Sequence, residues 1–523
     1  MNRRTRGSGR AVLASLVLVP ALLLSGCVPS WLQELVSGGT VSTPTGEEVA
    51  EELRPYYHQV LTWSGCGGGA QCATAIAPLD WNNPGEGDDI ELAMVRHPAS
   101  GGQAQGSLFI NPGGPGASGF DFVRESVDFA VSTDLQRAFG IVGWDPRGVG
   151  RSSAVTCYTD AADMDDFIYG IPEAEFGTPE WEAEVTESSI AFAEACAENT
   201  GPLLGFVDTN STVRDLDMMR AIVGDAQLNY FGYSYGTDIG ARYADRFPDK
   251  VGRLVLDGAT DPTASTFDVV LAQSEGFENA LIAYLVACPE LGSCPFPGTV
   301  DESLALISEL YERLGTDPIR ATDGRYFDGA VLDIAIATAL YDRGSWSFLS
   351  EMFTELRTGV VETGFFLADF YYGRENGEYI DNSLEAFIAI NCLDYPAETD
   401  REVIAAQNEQ IRAVAPTTTG EASPLGDVLC ANWPHQFDGE LGPVSGTGAA
   451  PILVIGTTGD PATPYQWAVA LAGQLESGVL LTWVGEGHIA YDEGDPCIND
   501  VVDAYFITGA VPHDGLVCDP DGP

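Results

Sequence analysis

One stretch decides the fold: Leu228-Asn229-Tyr230-Phe231-Gly232-Tyr233-Ser234-Tyr235-Gly236-Thr237. An apolar, aromatic run ends in Gly-x-Ser-x-Gly and leads into a helix-like segment, so the stretch predicts a strand, a sharp turn and a helix. The flanking glycines permit a close approach of the chain that a side chain would block. The amides that begin the helix favour negative charge near Ser234. We therefore predict a nucleophilic serine exposed at the turn; a plain glycine-rich turn is the alternative for the pentapeptide alone.

The composition restricts the possible partners. The chain has 523 residues, of which 45% are hydrophobic, and this predicts a packed globular protein with a large catalytic domain and a second domain or insertion. The formal net charge is −53, and Lys250 is the only lysine. Because binding of a phosphate backbone needs a basic face, nucleic acid is excluded as a partner. The acidic surface repels anionic membranes and favours cationic ligands, although solubility outside the cell is a sufficient explanation for most of the charge.

The N-terminal residues predict export. Four arginines precede the apolar run Ala11–Leu24, which is too short for an ordinary membrane span. The run ends in Leu24-Ser25-Gly26-Cys27, which resembles a bacterial lipobox. We predict a lipoprotein signal peptide over residues 1–26, lipidation of Cys27, and a tether over residues 27–55. An ordinary secretory signal with an incidental cysteine is the alternative.

The other ten cysteines agree with an oxidising compartment, since an even number permits complete pairing. Their order suggests pairs that close local loops, although the sequence leaves other connectivities open. No Cys-x-x-Cys occurs and the histidines are not clustered with the cysteines, so no metal site is predicted. The suggested pairs are 66–72, 157–196, 288–294, 392–430 and 497–518.

The order of the predicted elements indicates the fold class. Short apolar strands alternate with helices up to about residue 260, and the strand pattern resumes after residue 450. Such alternation is typical of an α/β protein with a mostly parallel central sheet flanked by helices. The intervening residues read as amphipathic helices joined by Pro and Gly turns. We therefore predict one sheet domain formed by residues 56–260 and 447–523, with a helical lid inserted over residues 261–446.

A serine nucleophile needs a neighbouring base and an acid that orients the base. Of the five histidines, His488 directly follows the last predicted strand, which places it at the same sheet edge as Ser234. Asp460 follows the preceding strand, and the order Ser, Asp, His is that of α/β-hydrolases. Asp257 also ends a strand and is the rival acid. We predict a catalytic triad of Ser234, Asp460 and His488 that needs no cofactor and no metal; a core or loop role is the alternative for any single histidine.

A glycine-rich loop follows another buried strand: Asn111-Pro112-Gly113-Gly114-Pro115-Gly116-Ala117-Ser118-Gly119. Glycines let a backbone amide approach a substrate oxygen closely, as an oxyanion hole requires. Because Pro115 has no amide, Gly114 or Gly113 is the candidate donor, and the amide of Tyr235 is expected to be the second. A phosphate-binding loop is disfavoured because the Gly-Lys-Ser/Thr ending is missing.

These motifs together resemble the secreted actinobacterial serine peptidases of the prolyl/tripeptidyl aminopeptidase family, with an α/β-hydrolase core and a tripeptidyl-aminopeptidase-like C-terminal segment. The resemblance covers most of the mature chain in family order; Asn111-Pro112 departs from the His-Gly of many related iminopeptidases. It implies release of short peptides, often tripeptides, from free N-termini, and sometimes esterase activity. The resembling stretches are residues 113–116, 144–152, 232–237, 389–394, 430–434, 460–464 and 487–488.

An aminopeptidase must hold a free α-ammonium, which acidic lid residues can bind by charge-assisted hydrogen bonds. Asp394 and Glu275 are the candidates. The predicted function is that of an extracellular, lipid-anchored, monomeric serine aminopeptidase that acts on peptides or small proteins through an acyl-enzyme on Ser234. Contact with the membrane is expected only through the lipid anchor. A cell-envelope carboxylesterase or lipase is the first alternative, and a non-catalytic binding lipoprotein is the second.

Overall fold

The computed structural model describes residues 39–418, 425–439, 441–491 and 496–520. The predicted signal peptide and Cys27 lie outside the described residues. Within the described ranges, every helix is either too short or too polar to cross a bilayer.

Fifteen strands occur in the described residues, and most are short and apolar. They are β1 Thr40–Val41, β2 Thr62–Gly65, β3 Gln71–Pro78, β4 Asp89–His97, β5 Ser107–Asn111, β6 Gly140–Trp144, β7 Leu228–Tyr233, β8 Val251–Asp257, β9 Ile319–Arg320, β10 Tyr326–Phe327, β11 Arg374–Glu375, β12 Glu378–Tyr379, β13 Ile452–Gly459, β14 Gly478–Glu486 and β15 Leu516–Cys518.

Seventeen α-helices accompany these strands in the described residues. They are α1 Arg54–Tyr57, α2 Gly119–Ala130, α3 Thr133–Ala138, α4 Ala161–Tyr169, α5 Pro179–Thr200, α6 Thr209–Val223, α7 Gly236–Arg246, α8 Thr266–Ala287, α9 Val300–Thr316, α10 Gly329–Leu340, α11 Trp346–Leu356, α12 Glu362–Tyr371, α13 Ser383–Asp394, α14 Arg401–Val414, α15 Val428–Ala431, α16 Tyr465–Gln474 and α17 Pro496–Thr508.

The central sheet has eleven strands in the order β1-β2-β3-β4-β6-β5-β7-β8-β13-β14-β15. The seven strands from β6 to β15 are mutually parallel. Four antiparallel strands extend the opposite edge, where β4 pairs with β6. The prediction of an α/β-hydrolase fold with a mostly parallel sheet is confirmed. Because parallel strands share one direction, the loops after β5, β7, β13 and β14 leave the sheet at the same edge.

Alternate residues of the parallel strands fill two separate hydrophobic cores. Tyr230 and Leu254 belong to one core, while their chain neighbours Phe231 and Val255 belong to the other. A strand points successive side chains to opposite faces, so a sheet covered on both faces needs strands that are apolar at nearly every position. This requirement explains the continuous apolar runs in the sequence.

The chain between β8 and β13 is mainly helical and has a hydrophobic core of its own. That core draws on α8, α9, α10, α11 and α12. The helix α13 differs from its neighbours, because Ala386, Ala389 and Ile390 pack into a core of the central sheet. One helix of the insertion is therefore built into the sheet domain.

Residues 40–55, which the sequence assigned to the tether, are part of the folded body. The strand β1 pairs with β2, and Glu47 binds both Arg220 at 2.7 Å and Lys250 at 2.9 Å. The tether prediction is therefore wrong from residue 40 onward, because strand pairing and these ion pairs hold the segment in place.

Five disulfides join the cysteines in sequential pairs, and this confirms the suggested connectivity. One of them ties the C-terminal end of α13 to α15. The pairs are Cys66–Cys72, Cys157–Cys196, Cys288–Cys294, Cys392–Cys430 and Cys497–Cys518.

Candidate active site

Ser234 occupies a strained turn between β7 and α7. Its φ angle is +54°, in the left-handed region that residues with a side chain rarely adopt. Hydrogen bonds on both sides hold this conformation. The Ser234 amide donates to the Asp257 carbonyl at 2.9 Å, and the amide and hydroxyl of Thr237 donate to the Ser234 carbonyl at 2.8 and 2.6 Å. These three hydrogen bonds therefore stabilise the strained turn.

The two glycines of the motif are required by close contacts. A Cβ atom on Gly232 would lie 2.4 Å from the Gly236 carbonyl oxygen. A Cβ atom on Gly236 would lie 2.8 Å from both the carbonyl oxygen and the side-chain oxygen of Asn111. Both distances are shorter than van der Waals contact, so any side chain at either position would displace the serine.

Asp460 and His488 are in direct contact at the edge where β13 and β14 end. The His488 Nδ1 atom lies 3.0 Å from each carboxylate oxygen of Asp460. The carboxylate is itself fixed, because it accepts the amides of Ala462 at 2.9 Å and Thr463 at 2.8 Å. A neutral imidazole that donates from Nδ1 carries its lone pair on Nε2. The arrangement therefore prepares Nε2 to accept a proton.

The imidazole lies beside the strand that supports the serine. A Cβ atom on Gly258 would come within 3.1 Å of His488 Cε1, and Gly258 follows the residue whose carbonyl accepts the Ser234 amide. The His488 amide donates to the Tyr341 carbonyl at 2.7 Å. The Tyr341 ring packs edge-on against the imidazole, with 5.3 Å between ring centroids. Tyr341, a residue of the insertion, therefore packs against the candidate base His488.

Asp257, the rival acid, is engaged with the main chain. Its carboxylate accepts the amide of Ala490 at 3.1 Å and that of Tyr491 at 2.8 Å. Burial raises the pKa of Asp257 to about 6. These contacts fix the loop that carries His488, and the two 3.0 Å contacts of Asp460 make Asp460 the better partner for the imidazole.

The glycine-rich loop after β5 lies against the serine turn. A Cβ atom on Gly113 would be 2.6 Å from the Tyr233 carbonyl oxygen and 2.8 Å from the Cβ of Ser234. The Gly113 amide donates to the Asn111 side chain at 2.9 Å, so it is already engaged. In the described part of the chain, the Gly114 amide has no acceptor, and neither has that of Tyr235. These two amides remain the candidate oxyanion donors.

The two predicted amine-binding acids lie in different environments. Asp394 is buried, and its carboxylate accepts the Thr209 amide at 3.0 Å and the Thr209 hydroxyl at 2.5 Å. Burial raises the pKa of Asp394 to about 7. Because Thr209 already donates to both oxygens of this buried carboxylate, the structure favours a structural role for Asp394 over an amine-binding role. Glu275 is exposed on α8, and the neighbouring Gly276 packs against the Pro461 carbonyl beside Asp460.

Some residues of the site were not found from the sequence. The Thr463 hydroxyl lies 2.9 Å from Asp460 and 3.2 Å from His488 Nδ1. Its place three residues after an aspartate is typical of an Asx-type turn and was a usable signal. Tyr341 left no such signal. No group of three or more His, Cys, Asp or Glu side chains in the described ranges is arranged to hold a metal ion.

Comparison with known proteins agrees with this geometry. Residues 416–518 match the family described as TAP-like protein. Serine protease Hip1 of Mycobacterium tuberculosis is 34% identical over 99% of both chains. Carboxylesterase B of the same species is 35% identical over 86% of each chain, and tripeptidyl aminopeptidase of Streptomyces coelicolor is 30% identical over 86% of this chain and 83% of the relative.

The predicted resemblance is confirmed by these relatives, which match the chain over most of its length. The chain belongs to the family of TAP-like α/β-hydrolases that includes serine protease Hip1 and tripeptidyl aminopeptidase, and it is a serine hydrolase.

Proposed function

We propose that this serine hydrolase is an exported aminopeptidase that releases short peptides, most often tripeptides, from free N-termini. The observation that carries the proposal is the contact of His488 Nδ1 with both oxygens of Asp460 beside the strained turn of Ser234. A relative named tripeptidyl aminopeptidase and another named serine protease support the choice of a peptide substrate.

In the proposed mechanism, Ser234 Oγ attacks the carbonyl carbon of the scissile bond while its proton passes to His488 Nε2. Asp460 stabilises the imidazolium, and the amides of Gly114 and Tyr235 donate to the developing oxyanion. The imidazolium protonates the leaving amine, which departs and leaves an acyl-enzyme on the serine. Water then attacks the ester with His488 as base, and the serine is regenerated with release of the short peptide.

Glu275 is the proposed anchor for the α-ammonium of the substrate. It is an exposed acid on α8, the helix that packs on the loop after Asp460 and donates from Gln273 to the Ala462 carbonyl at 2.8 Å. A charge-assisted hydrogen bond contributes about 1.5–3 kcal/mol. Its loss should lower kcat/KM for a free N-terminus by about 10- to 150-fold.

Tripeptide anilides with free and with acetylated N-termini test this proposal. We expect cleavage of the free form, no activity in Ser234→Ala, and in Glu275→Gln a higher KM for the free form alone. Glu187→Gln, which removes an exposed acid on α5, is the matched control for net charge and should behave as wild type. Equal cleavage of free and acetylated substrates would exclude the amine anchor.

A carboxylesterase is the second candidate function, because carboxylesterase B is 35% identical to this chain over 86% of its length. The same assay separates the two functions. Ester hydrolysis that depends on Ser234, without anilide cleavage, would identify an esterase, and hydrolysis of neither substrate would leave a binding lipoprotein.

We also propose that the enzyme is a monomer held at the outer face of the cell membrane by lipidation of Cys27, and that residues 261–446 form the lid of the substrate site. Cys27→Ser should move the protein from the membrane fraction to the medium. Retention of this variant in the membrane fraction would contradict the lipid anchor.

A further inference from the structure

A chain of hydroxyl groups joins the residue after Ser234 to the buried acid at the end of α13. The Tyr235 hydroxyl is hydrogen-bonded to the Thr209 hydroxyl, which lies 2.5 Å from Asp394 Oδ2. When Asp394 is ionised, Thr209 donates its single hydroxyl proton to the carboxylate, and the Tyr235 hydroxyl is then the donor to Thr209. The chain therefore runs in one direction and ends on a carboxylate.

Capping of α6 explains only part of this arrangement. The N-cap of α6 is Asp208, whose side chain accepts the Ser211 amide at 2.9 Å. Asp394 adds a second acid at the same helix end, and burial makes such a group costly unless it is well paired. One of its oxygens accepts the Thr209 amide at 3.0 Å. The other oxygen accepts the Thr209 hydroxyl, which is hydrogen-bonded to Tyr235. This contact connects Asp394 to the residue that follows Ser234.

Tyr235 is the residue whose backbone amide faces the proposed oxyanion. The direction of this amide depends on the orientation of the whole residue, because the peptide plane between Ser234 and Tyr235 is rigid. A tyrosine fixed at its backbone and at its phenol tip cannot tilt. Oxyanion donors act best when they are held in place before the reaction, so this restraint bears directly on turnover.

The other end of α13 rests against the loop of the second donor. A Cβ atom on Gly116 would lie 2.3 Å from the Ser383 carbonyl oxygen, so the loop that contains Gly114 packs directly on the start of the helix. At its far end, α13 is fixed by the disulfide of Cys392, two residues before Asp394. One helix of the insertion is thus connected to both candidate donors, to Gly114 through its loop and to Tyr235 through Thr209.

We propose that Asp394 is a positioning residue that orients the oxyanion amide of Tyr235 through the hydroxyl of Thr209. This role rests on the proposed acyl-transfer function of Ser234, but it does not depend on whether the substrate is a peptide or an ester. Asp394 is buried, and both of its carboxylate oxygens accept hydrogen bonds from Thr209. Its effect on the reaction is therefore an effect on the transition state and not on substrate binding.

Variants of Thr209 give the cleanest test. Thr209→Val keeps the shape of the side chain and removes the hydroxyl, while Thr209→Ser keeps the hydroxyl. Loss of a whole oxyanion donor lowers kcat by about 100- to 1,000-fold, so a loosened donor should lower kcat by about 10- to 100-fold. We expect this loss in Thr209→Val with KM within about twofold, and less than about threefold loss in Thr209→Ser.

A tetrahedral inhibitor supplies a readout that a merely structural role would not change. A peptide boronate that adds to the serine should bind Thr209→Val more weakly by the same factor as kcat falls, because it places an oxygen in the oxyanion site. Asp394→Asn should behave similarly, and the double variant should lose no more than either single variant. If Asp394→Asn fails to fold because this position is buried, Tyr235→Phe, which removes one oxygen atom, gives the same test.

The ester assay separates this proposal from the proposed aminopeptidase function. If wild type cleaves esters but no peptide, the aminopeptidase proposal fails, and the role of Asp394 is still judged from kcat on the ester. Unchanged kcat and boronate affinity in both Thr209→Val and Tyr235→Phe would overturn the positioning role. An equal loss in Thr209→Ser and Thr209→Val would also overturn it, because the hydroxyl would then not matter.

Discussion

Substitution of Asp460 by asparagine should place the wrong nitrogen of His488 toward the substrate. In the native site, Oδ1 accepts the amides of Ala462 and Thr463, while Oδ2 accepts the Thr463 hydroxyl and, at 3.3 Å, the Ile489 amide. Asparagine has one acceptor oxygen, and the two amides require it at the Oδ1 position. The NH₂ group then takes the Oδ2 position, 3.0 Å from His488 Nδ1, where it donates to that nitrogen and favours the ring proton on Nε2.

A histidine protonated on Nε2 cannot take the serine proton. For a buried acid that orients a catalytic histidine, this change lowers kcat by about 10,000-fold, which corresponds to about 5.4 kcal/mol of activation free energy. The Thr463 hydroxyl and the Ile489 amide also lose a charged acceptor, so Asp460→Asn should be less stable by about 1–3 kcal/mol. The fall in kcat therefore far exceeds any effect of unfolding at room temperature.

The assay is kcat on a chromogenic ester, with thermal unfolding measured in parallel. Asp257→Asn is the matched control, because that acid is equally buried but binds the amides of Ala490 and Tyr491. It should keep kcat within about tenfold of wild type, since one weakened amide contact costs about 1 kcal/mol. More than a tenth of wild-type kcat in Asp460→Asn, or an equal loss in both variants, would refute the assignment of Asp460.

Three further predictions concern the loop, the core and pH. Gly113→Ala should lower kcat by about 100-fold or more because its φ is +98° and the new methyl group would lie 2.6 Å from a carbonyl oxygen; Gly102→Ala, with φ +89° in open space, should not. Arg147→Met leaves the buried Asp215 without its cation and with the Trp81 indole N–H as a donor, so denaturant unfolding should show a loss of about 3–5 kcal/mol, and a loss under about 1 kcal/mol would contradict this. Burial raises the pKa of Glu385 from 4.5 to about 7. Between these two pH values the folded protein keeps the Glu385 proton, while the unfolded chain has lost it. The free energy of unfolding should therefore fall as the pH rises from 4.5 to about 7. Glu385→Gln should flatten this dependence of Tm on pH, and an unchanged slope would contradict the assignment.

Much of the candidate site was predictable because it is encoded locally. A strand, a turn and a helix follow one another around Ser234, and each has its own short-range signal in residue type and spacing. Asp460 and His488 follow β13 and β14, which belong to the same sheet as β7, and parallel strands bring their carboxyl ends to one edge. The positions of these side chains therefore follow from element order once the sheet is known to be parallel.

Other features depend on contacts between distant parts of the chain. Asp394 meets Thr209 across a separation of 185 residues, and the sequence around each residue is equally compatible with an exposed acid that binds a substrate amine. The segment from residue 40 to residue 55 reads as a linker, yet Glu47 finds Arg220 on α6. The partners of such polar residues cannot be read from hydrophobic periodicity, because they depend on how whole helices and strands pack together.

The sequence by itself determined the class of fold, the serine turn and the order of the catalytic candidates, whereas the pairing of the cysteines was one of several that it allowed. These depend on hydrophobic periodicity, on glycines that a strained turn requires, and on the succession of elements. The tertiary structure alone decided that Asp394 is buried against Thr209 and that α13 packs into a core of the central sheet. The physical reason is that the burial and the hydrogen-bond partners of a side chain depend on which elements pack against each other in the tertiary structure.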